Sequence, residues 1–263
     1  MRPLNEAGRS TFASVRFVLT DMDETLTYRG RLEARTYAAL ERLQQAGVTV
    51  VPVTAAPAGW CDQMARMWPV DGVIGENGGF LFRRDAGGHG VVRRFWHGEA
   101  DRPAVMEELA RIARAVQTAV PSARFAEDQP FRLTSIAFAQ PEDPAEGQAI
   151  VAALRAEGAD VTLNNLWVLG WLGGYDKLAM ARRVLALEFG LDVDAEPEAV
   201  LYVGDSTNDA PMFGFFRHSV GVSTVTRYLH EIPTPPAWIA AGPGGAGFVE
   251  AADAVLASRV PAG

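Results

Sequence analysis

The spacing of apolar residues predicts alternating strands and helices in the first part of the chain. Apolar runs at residues 17–19 and 48–53 are typical of strands, and residues 32–45 carry apolar side chains at helical spacing. The second run is almost entirely apolar, as expected of a strand that is covered on both faces. A helix at residues 57–68 and a strand at residues 72–74 are predicted next. This order of elements indicates a parallel sheet with right-handed crossovers.

The pattern changes between residues 80 and 171 and returns afterwards. The changed region is predicted to form a hairpin at residues 80–83 and 91–96, helices at 104–120 and 144–157, and strands at 131–139, 161–163 and 166–171. The final region is predicted to form helices at residues 177–189 and 248–258 and strands at 200–203, 219–222 and 238–240. The predicted fold class is therefore α/β, a Rossmann-like doubly wound parallel sheet core with an inserted α+β domain.

Composition narrows the range of partners. The chain has 263 residues, 48% of them hydrophobic, and a formal net charge of -8, which disfavours binding to nucleic acid or anionic lipid. The longest uncharged stretch, residues 232–249, is broken by proline and glycine and does not fit a membrane span. The first residues lack the apolar segment of a signal peptide. We expect a cytoplasmic protein, monomeric or homodimeric, with a small-molecule partner.

Polar side chains follow several of the predicted strands. Asp21 and Asp23 follow the first strand, and Thr54 follows the second. Asp205 and Asp209 follow the strand at residues 200–203. The carboxyl ends of parallel strands share one edge of a doubly wound sheet, where ligands bind. Converging carboxylates need a positive partner, and oxygen ligands without histidine or cysteine are typical of Mg²⁺.

The residue types at this edge suit phosphoryl transfer. Asp21 can attack phosphorus and form an aspartyl-phosphate, and Asp23 lies two residues further on the same side of an extended chain, where it can move protons. Thr54 can bind phosphoryl oxygens. Lys177, the only lysine among 24 basic residues, can neutralise Asp21 and the transferring group.

These residues resemble the motifs of the haloacid dehalogenase superfamily. DMDETLT, residues 21–27, is similar to the first motif, whose usual form is Asp-x-Asp-Gly-Thr. Thr54 stands where the second motif has Ser or Thr, Lys177 is the third motif, and GDSTND at residues 204–209 is the fourth. The four motifs occur in the right order and span almost the whole chain. The resemblance implies a Mg²⁺-dependent phosphohydrolase.

The resemblance also implies a domain division and a branch of the superfamily. ENGG at residues 76–79 and the insert at residues 83–172 resemble the branch of sucrose, trehalose and mannosylglycerate phosphate phosphatases, in which an α/β cap governs substrate specificity. Residues 1–82 and 173–263 would then form the two parts of the core.

Carried over by position, the resemblance implies a role for each residue. Asp21 would be the nucleophile and Asp23 the general acid and base. The metal site would draw on the Asp21 carboxylate, the Asp23 carbonyl and Asp205. Asn208 would lie near the phosphate or Lys177, and Asp209 would belong to the metal site by orienting metal-bound water or Lys177 rather than by binding the metal directly.

Two departures from the family pattern stand out. Glu24 replaces the usual glycine of the first motif. The second motif usually continues Thr-Gly-Arg-Pro, but here Thr54 is followed by Ala55 and Ala56. The change removes an arginine that the family pattern implies as a substrate contact, and a Cβ at Ala55 disfavours a positive φ. Weaker activity and shifted specificity both remain open.

Substrate contacts are predicted from the core and from the insert. The core candidates are Thr54, Ala55, Glu76, Asn77, Lys177 and Asn208. The insert candidates are Arg94, His97, Asn164, Asn165, Trp167 and Trp171. Packing or a solvated turn also explains each residue of the second set.

The favoured function is a phosphoric monoester hydrolase that acts on a small phosphorylated metabolite, most simply a sugar phosphate. A phosphomutase is the narrower alternative within the enzyme class. A sugar-phosphate-binding regulatory protein that has lost turnover is motivated by Ala55 and Ala56. A signalling receiver also combines Asp, Thr and Lys around Mg²⁺, but it carries adjacent acidic residues after its first strand and no such insert.

Overall fold

The computed structural model describes residues 1–88, 90–164 and 166–259. The predicted contact residue Asn165 lies outside the described residues. The described strands are β1 (Arg2–Pro3), β2 (Phe17–Thr20), β3 (Thr27–Tyr28), β4 (Arg31–Leu32), β5 (Thr49–Pro52), β6 (Val73–Gly75), β7 (Phe80–Arg84), β8 (Val91–Phe95), β9 (Ser135–Ala139), β10 (Asp160–Leu163), β11 (Trp167–Trp171), β12 (Val200–Gly204), β13 (His218–Gly221) and β14 (Trp238–Ile239). The described α-helices are α1 (Ala34–Gln45), α2 (Ala58–Met67), α3 (Arg102–Ala119), α4 (Pro144–Ala156), α5 (Lys177–Phe189), α6 (Ala210–Phe215) and α7 (Gly244–Ala257).

A six-stranded parallel sheet with helices on both faces forms the core. Its strand order is β1-β14-β13-β12-β2-β5. Successive side chains of a strand point to opposite faces, so Val18 packs with α1, α2 and α7, whereas Phe17 and Leu19 pack with α5 and α6. Both faces are therefore apolar, which explains the unbroken apolar runs, and the predicted doubly wound α/β core is confirmed.

A second, three-stranded antiparallel sheet lies within the insert in the order β10-β11-β9. One face packs on α3 and α4 through residues such as Phe138 and Val168. The other face carries Ala137, Leu169 and Trp171, which cluster with Ala55 of the core. The sheet therefore covers the carboxyl edge of the core sheet near Ala55. The domain limits at residues 83 and 172 stay a prediction. Strand β8 lies within these limits, yet its Phe95 packs against the core.

The structure differs from the sequence-based elements in several places. The strand predicted at residues 131–139 is shorter, because Gln129–Phe131 forms a 3-10 turn stabilised by Asp128 and Arg132. The predicted third strand, β6, meets the core sheet in the expected parallel direction through a Val53–Ile74 bridge, but its regular pairing is antiparallel and is made with β7.

The last helix begins earlier than predicted, at Gly244. Its glycines are needed for close packing, since a Cβ on Gly245 would lie 2.1 Å from Thr36 Oγ1. The short strands β1, β3 and β4 carried no periodic signal, because two residues are too few to show one. Within the described residues, no helix combines the length and apolar character needed to cross a bilayer.

Candidate active site

The order of the core strands brings the predicted acidic residues together. β12, β2 and β5 are neighbours, so Asp205, Asp21 and Thr54 follow adjacent strands at one edge. Carboxylate oxygens of Asp21, Asp205 and Asp209 all lie within 4.8 Å of one another, and all three residues are buried. Such a cluster of buried carboxylates is stable only with positive partners.

Lys177 supplies one of these positive partners from the first turn of α5. Its Nζ lies 2.6 Å from Asp21 Oδ1 and 2.8 Å from Asp209 Oδ1, and its side chain is only 2% exposed. Burial opposes the charge of Lys177, but Asp209 and Asp21 raise its pKa well above the ordinary value. The only lysine of the chain is therefore held as a cation inside the acidic cluster.

The Asp209 carboxylate is fully engaged by protein donors. Its Oδ1 accepts hydrogen bonds from Lys177 and from the Tyr202 hydroxyl at 2.5 Å. Its Oδ2 accepts from the amides of Asp205 at 2.9 Å and Ser206 at 3.2 Å. With four donors around it, Asp209 fits a positioning role better than direct metal binding. Tyr202 was missed by the sequence analysis, although a tyrosine in the buried run VLYVG signals a hidden hydroxyl partner.

Burial makes the remaining carboxylates reluctant to ionise. It raises the pKa of Asp21 to about 7, with Lys177 acting in the opposite direction. It also raises the pKa of Asp23 to about 6 and that of Asp205 to about 9. A bound cation would favour the ionised forms of all three. A set of oxygen donors whose ionisation is opposed by burial fits a hard divalent cation such as Mg²⁺.

A cavity of about 190 Å³ opens over the acidic cluster. It is lined by residues from the core, the β3–β4 hairpin and the β10–β11 turn: Asp21, Asp23, Glu24, Gly30, Ala55, Asn164, Leu166, Asp205, Ser206, Asn208, Thr224, Arg227 and Tyr228. Of the predicted contacts, Ala55, Asn164 and Asn208 therefore lie on its wall. Asn208 Oδ1 accepts a hydrogen bond from Ser206 Oγ at 2.8 Å.

The departure in the first motif, Glu24, is held by local contacts. Glu24 adopts φ of 58°, in the left-handed region that glycine tolerates best. Its Oε1 accepts from the Arg29 amide at 2.7 Å, which ties the carboxylate to the β3–β4 hairpin. Thr25, not singled out from the sequence, is fully buried and donates to Asp205 Oδ1 at 3.4 Å.

The departures in the second motif are accommodated as well. Ala55 does not have a positive φ, so its Cβ introduces no backbone strain. Thr54 Oγ1 accepts from the Ala56 amide at 3.0 Å, which closes the turn after β5. Arg132, from the insert, donates to the Ala55 carbonyl at 3.1 Å and pairs with Asp128 at 2.8 Å. A buried arginine therefore reaches the loop where the family pattern has one, but from a distant segment that no local motif could reveal.

Glu76 joins the core to the insert. Its Oε1 accepts from the amides of Ala58 and Leu133, and its Oε2 accepts from the Thr134 amide and from the hydroxyls of Thr134 and Ser135, all at 2.8–3.1 Å. Both oxygens are thus engaged by protein groups, which favours a structural role over the predicted substrate contact. Asn77 is buried with φ of 58°, and its amide donates to the Thr54 carbonyl at 3.0 Å.

The Glu76→Gln variant is expected to lower the free energy of unfolding by about 2–3 kcal/mol, because an amide nitrogen would face buried donors and leave at least one of them unpaired. The melting temperature should fall by about 2–4 °C for each kcal/mol. Thermal denaturation would measure this, with exposed Glu107→Gln as the control. Equal melting temperatures for the two variants would contradict the joining role.

The predicted contacts of the insert separate into distinct groups. Arg94 pairs with Glu188 at 3.0 Å on the surface. His97 Nε2 contacts the Leu172 carbonyl at 2.7 Å. Trp167 and Trp171 are buried in the face of the insert that meets the core. None of these four side chains lines the cavity within the described part of the chain.

Comparisons with known proteins agree with this architecture. A family profile described as haloacid dehalogenase-like hydrolase matches residues 18–94. The chain is 28% identical over 239 residues to a phosphoglycolate phosphatase of Methanoculleus marisnigri, and the match covers 89% of this chain and 94% of the relative.

Two solved structures share the fold over most of their length. A Thermoplasma acidophilum protein superposes with a TM-score of 0.70 at 18% identity, covering 91% of this chain and 99% of that one. The sucrose-phosphatase of Synechocystis, solved with sucrose and phosphate, superposes with a TM-score of 0.65 at 12% identity, covering 90% and 96%.

The doubly wound core, the inserted α+β block and the Asp-Lys cluster, taken with these matches, define a hydrolase of the phosphatase type. Over residues 18–94 the chain is similar to haloacid dehalogenase-like hydrolases, and over 89% of its length it is similar to a phosphatase.

Proposed function

We propose that this enzyme is a Mg²⁺-dependent phosphatase of a small phosphorylated metabolite and that it works through an aspartyl-phosphate on Asp21. The observation that carries the proposal is the buried cluster of Asp21, Asp205 and Asp209 around Lys177, with a cavity opening directly over it. The Asp21 and Asp205 carboxylates and the Asp23 carbonyl are the groups that would hold Mg²⁺. The ion would neutralise charge on the phosphoryl oxygens.

The residues of the chain then divide the reaction between them. A carboxylate oxygen of Asp21 attacks phosphorus, and the bond from phosphorus to the ester oxygen breaks. Asp23 gives its proton to the departing oxygen, which leaves as an alcohol. Asp23 next removes a proton from water, which attacks the phosphorus of the aspartyl-phosphate, and phosphate and the Asp21 carboxylate are released. Lys177 holds Asp21 in place and lowers the cost of its negative charge.

The structure weakens the reason for expecting a binding protein without turnover. That hypothesis was motivated by Ala55 and Ala56, yet Ala55 is unstrained and Arg132 occupies the loop beside it. The sequence favoured a sugar phosphate as substrate, and sucrose-phosphatase is a relative in fold. A cavity of about 190 Å³ lies below the range of about 300–1,000 Å³ typical of sites for drug-sized ligands, which favours a small ester over a disaccharide phosphate.

Phosphate release from a panel of small esters is the test of the proposal. The panel is an aryl phosphate, phosphoglycolate, hexose phosphates and a disaccharide phosphate, each with Mg²⁺ and with a chelator. We expect turnover with Mg²⁺, a loss of at least about 10²-fold with the chelator, and recovery when Mg²⁺ is returned. No turnover of any ester, or equal turnover with the chelator, would contradict the proposal.

Melting temperature gives a second measure of the metal site. The folded-state pKa of Asp205, about 9, lies above its ordinary value of 3.8, so the metal-free protein loses stability as the pH rises through that interval. Mg²⁺ competes with the protons and should therefore raise the melting temperature more at high pH than at low pH.

A further inference from the structure

Arg227 is a cation on the cavity wall for which the described part of the chain provides no partner. It ends the 3-10 segment Ser223–Arg227, which follows β13, one strand outward from the acidic cluster. With the residues that the structure describes, Arg227 forms no ion pair, hydrogen bond or cation–π contact. Arg227 is exposed, and a guanidinium on a cavity wall without an acceptor among the described residues is available to an anionic ligand.

Thr224 gives a second, independent indication of a ligand at the same place. It lies three residues before Arg227, is only 7% exposed, and also lines the cavity. Its Oγ1 is buried and has no hydrogen-bond partner among the described residues. Buried hydroxyls are nearly always hydrogen-bonded in folded proteins, so an unpaired one on a cavity wall indicates a polar group of a ligand.

The charge of the cavity limits what that ligand can be. The cavity is also lined by four acidic residues, Asp21, Asp23, Glu24 and Asp205. Among the described lining residues, Arg227 is the one arginine or lysine. A single guanidinium matches one planar carboxylate with two parallel hydrogen bonds. A second phosphate would bring more negative charge than one arginine can balance beside four carboxylates.

We propose that Arg227 and Thr224 form the subsite for the leaving group, and that the substrate is the phosphate ester of a short hydroxy acid whose carboxylate binds Arg227. This inference rests on the proposed phosphatase function and names its substrate class. Asn164 and Leu166 of the insert line the same cavity, and Asn164 Oδ1 accepts from the Leu166 amide at 2.9 Å. The size of the cavity is consistent with a short leaving group.

The test compares phosphoglycolate with hydroxyethyl phosphate, which has a neutral hydroxyl in place of the carboxylate. For the wild-type protein with Mg²⁺, we expect kcat/KM to be about 10- to 100-fold higher for phosphoglycolate, as is typical of a hydrogen bond to a charged group. Arg227→Gln should abolish this preference, mainly through KM, and Arg227→Lys should retain part of it. Arg217→Gln removes an exposed arginine that pairs with Glu198 outside the cavity and should keep the preference.

The Thr224→Val variant distinguishes a role in substrate binding from a purely structural role. Because Thr224 Oγ1 loses no protein partner, the melting temperature should not fall, while KM for phosphoglycolate should rise. An equal preference for hydroxyethyl phosphate, a preference for a hexose phosphate, or an unchanged ratio in Arg227→Gln would overturn the inference while leaving the phosphatase proposal intact. Absence of turnover with every ester would instead overturn the proposed function.

Discussion

Replacing Asp21 with Asn is expected to reduce phosphate release by about 10⁴-fold or more, since an amide oxygen cannot form the covalent intermediate. The fold should survive the change. Asparagine has nearly the same shape, and Lys177 keeps its 2.8 Å contact with Asp209. Burial already raises the pKa of Asp21 to about 7, so a neutral side chain is tolerated there. Steady-state phosphate release and thermal denaturation measure the two effects separately.

The matched control for this experiment is Asp194→Asn. Asp194 is an exposed carboxylate that pairs with Arg182 at the surface, and its loss should leave both rate and stability nearly unchanged. If Asp21→Asn retained a rate within tenfold of the wild type, the covalent route through Asp21 would be wrong.

Replacing Lys177 with Met is expected to affect both stability and activity. The change leaves Asp21 and Asp209 buried without the cation that touches them at 2.6 Å and 2.8 Å. Breaking a buried ion pair on one side costs about 3–5 kcal/mol. Loss of the charge beside the transferring phosphoryl group should lower kcat by about 10²- to 10³-fold. Denaturant titration and phosphate release in the presence of Mg²⁺ measure these quantities.

A double variant separates the two roles of the lysine. Lys177→Met combined with Asp209→Asn removes one of the two carboxylates that would otherwise stay buried without their cation, and it should recover part of the stability. It should recover none of the activity, since Asp21 would still lack its cation. Recovery of the rate together with stability would show that Lys177 acts only through the fold.

The core of the fold could be predicted because its apolar pattern is strong. Strands β2, β5 and β12 are buried on both faces, so each gave a continuous apolar run, and the amphipathic pattern of α5 gave its limits correctly. The antiparallel pairing of β6 could not be predicted in the same way, since three apolar residues are compatible with either direction.

Most of the acidic site could be predicted from the sequence, because the residue types and the order of the strands point to the same place. Strand ends of a parallel sheet meet at one edge, and the only lysine was a single, unambiguous candidate for their cation. Arg132 was inaccessible because it reaches Ala55 across 77 residues of sequence. Arg227 and Thr224 were missed because a free arginine and an unpaired hydroxyl can be recognised only once their neighbours are known.

Strand β2 is synthesised early and paired late. In the finished sheet it lies between β5 and β12, and the second of these neighbours ends only at Gly204. Phe17 pairs with Val200, which follows it by 183 residues (200 − 17), and this separation corresponds to about 9–37 s of translation at about 5–20 residues per second. During that interval one edge of an apolar strand stays open to wrong partners. Emergence of the insert from the ribosome is therefore the stage at which this chain most needs protection from aggregation.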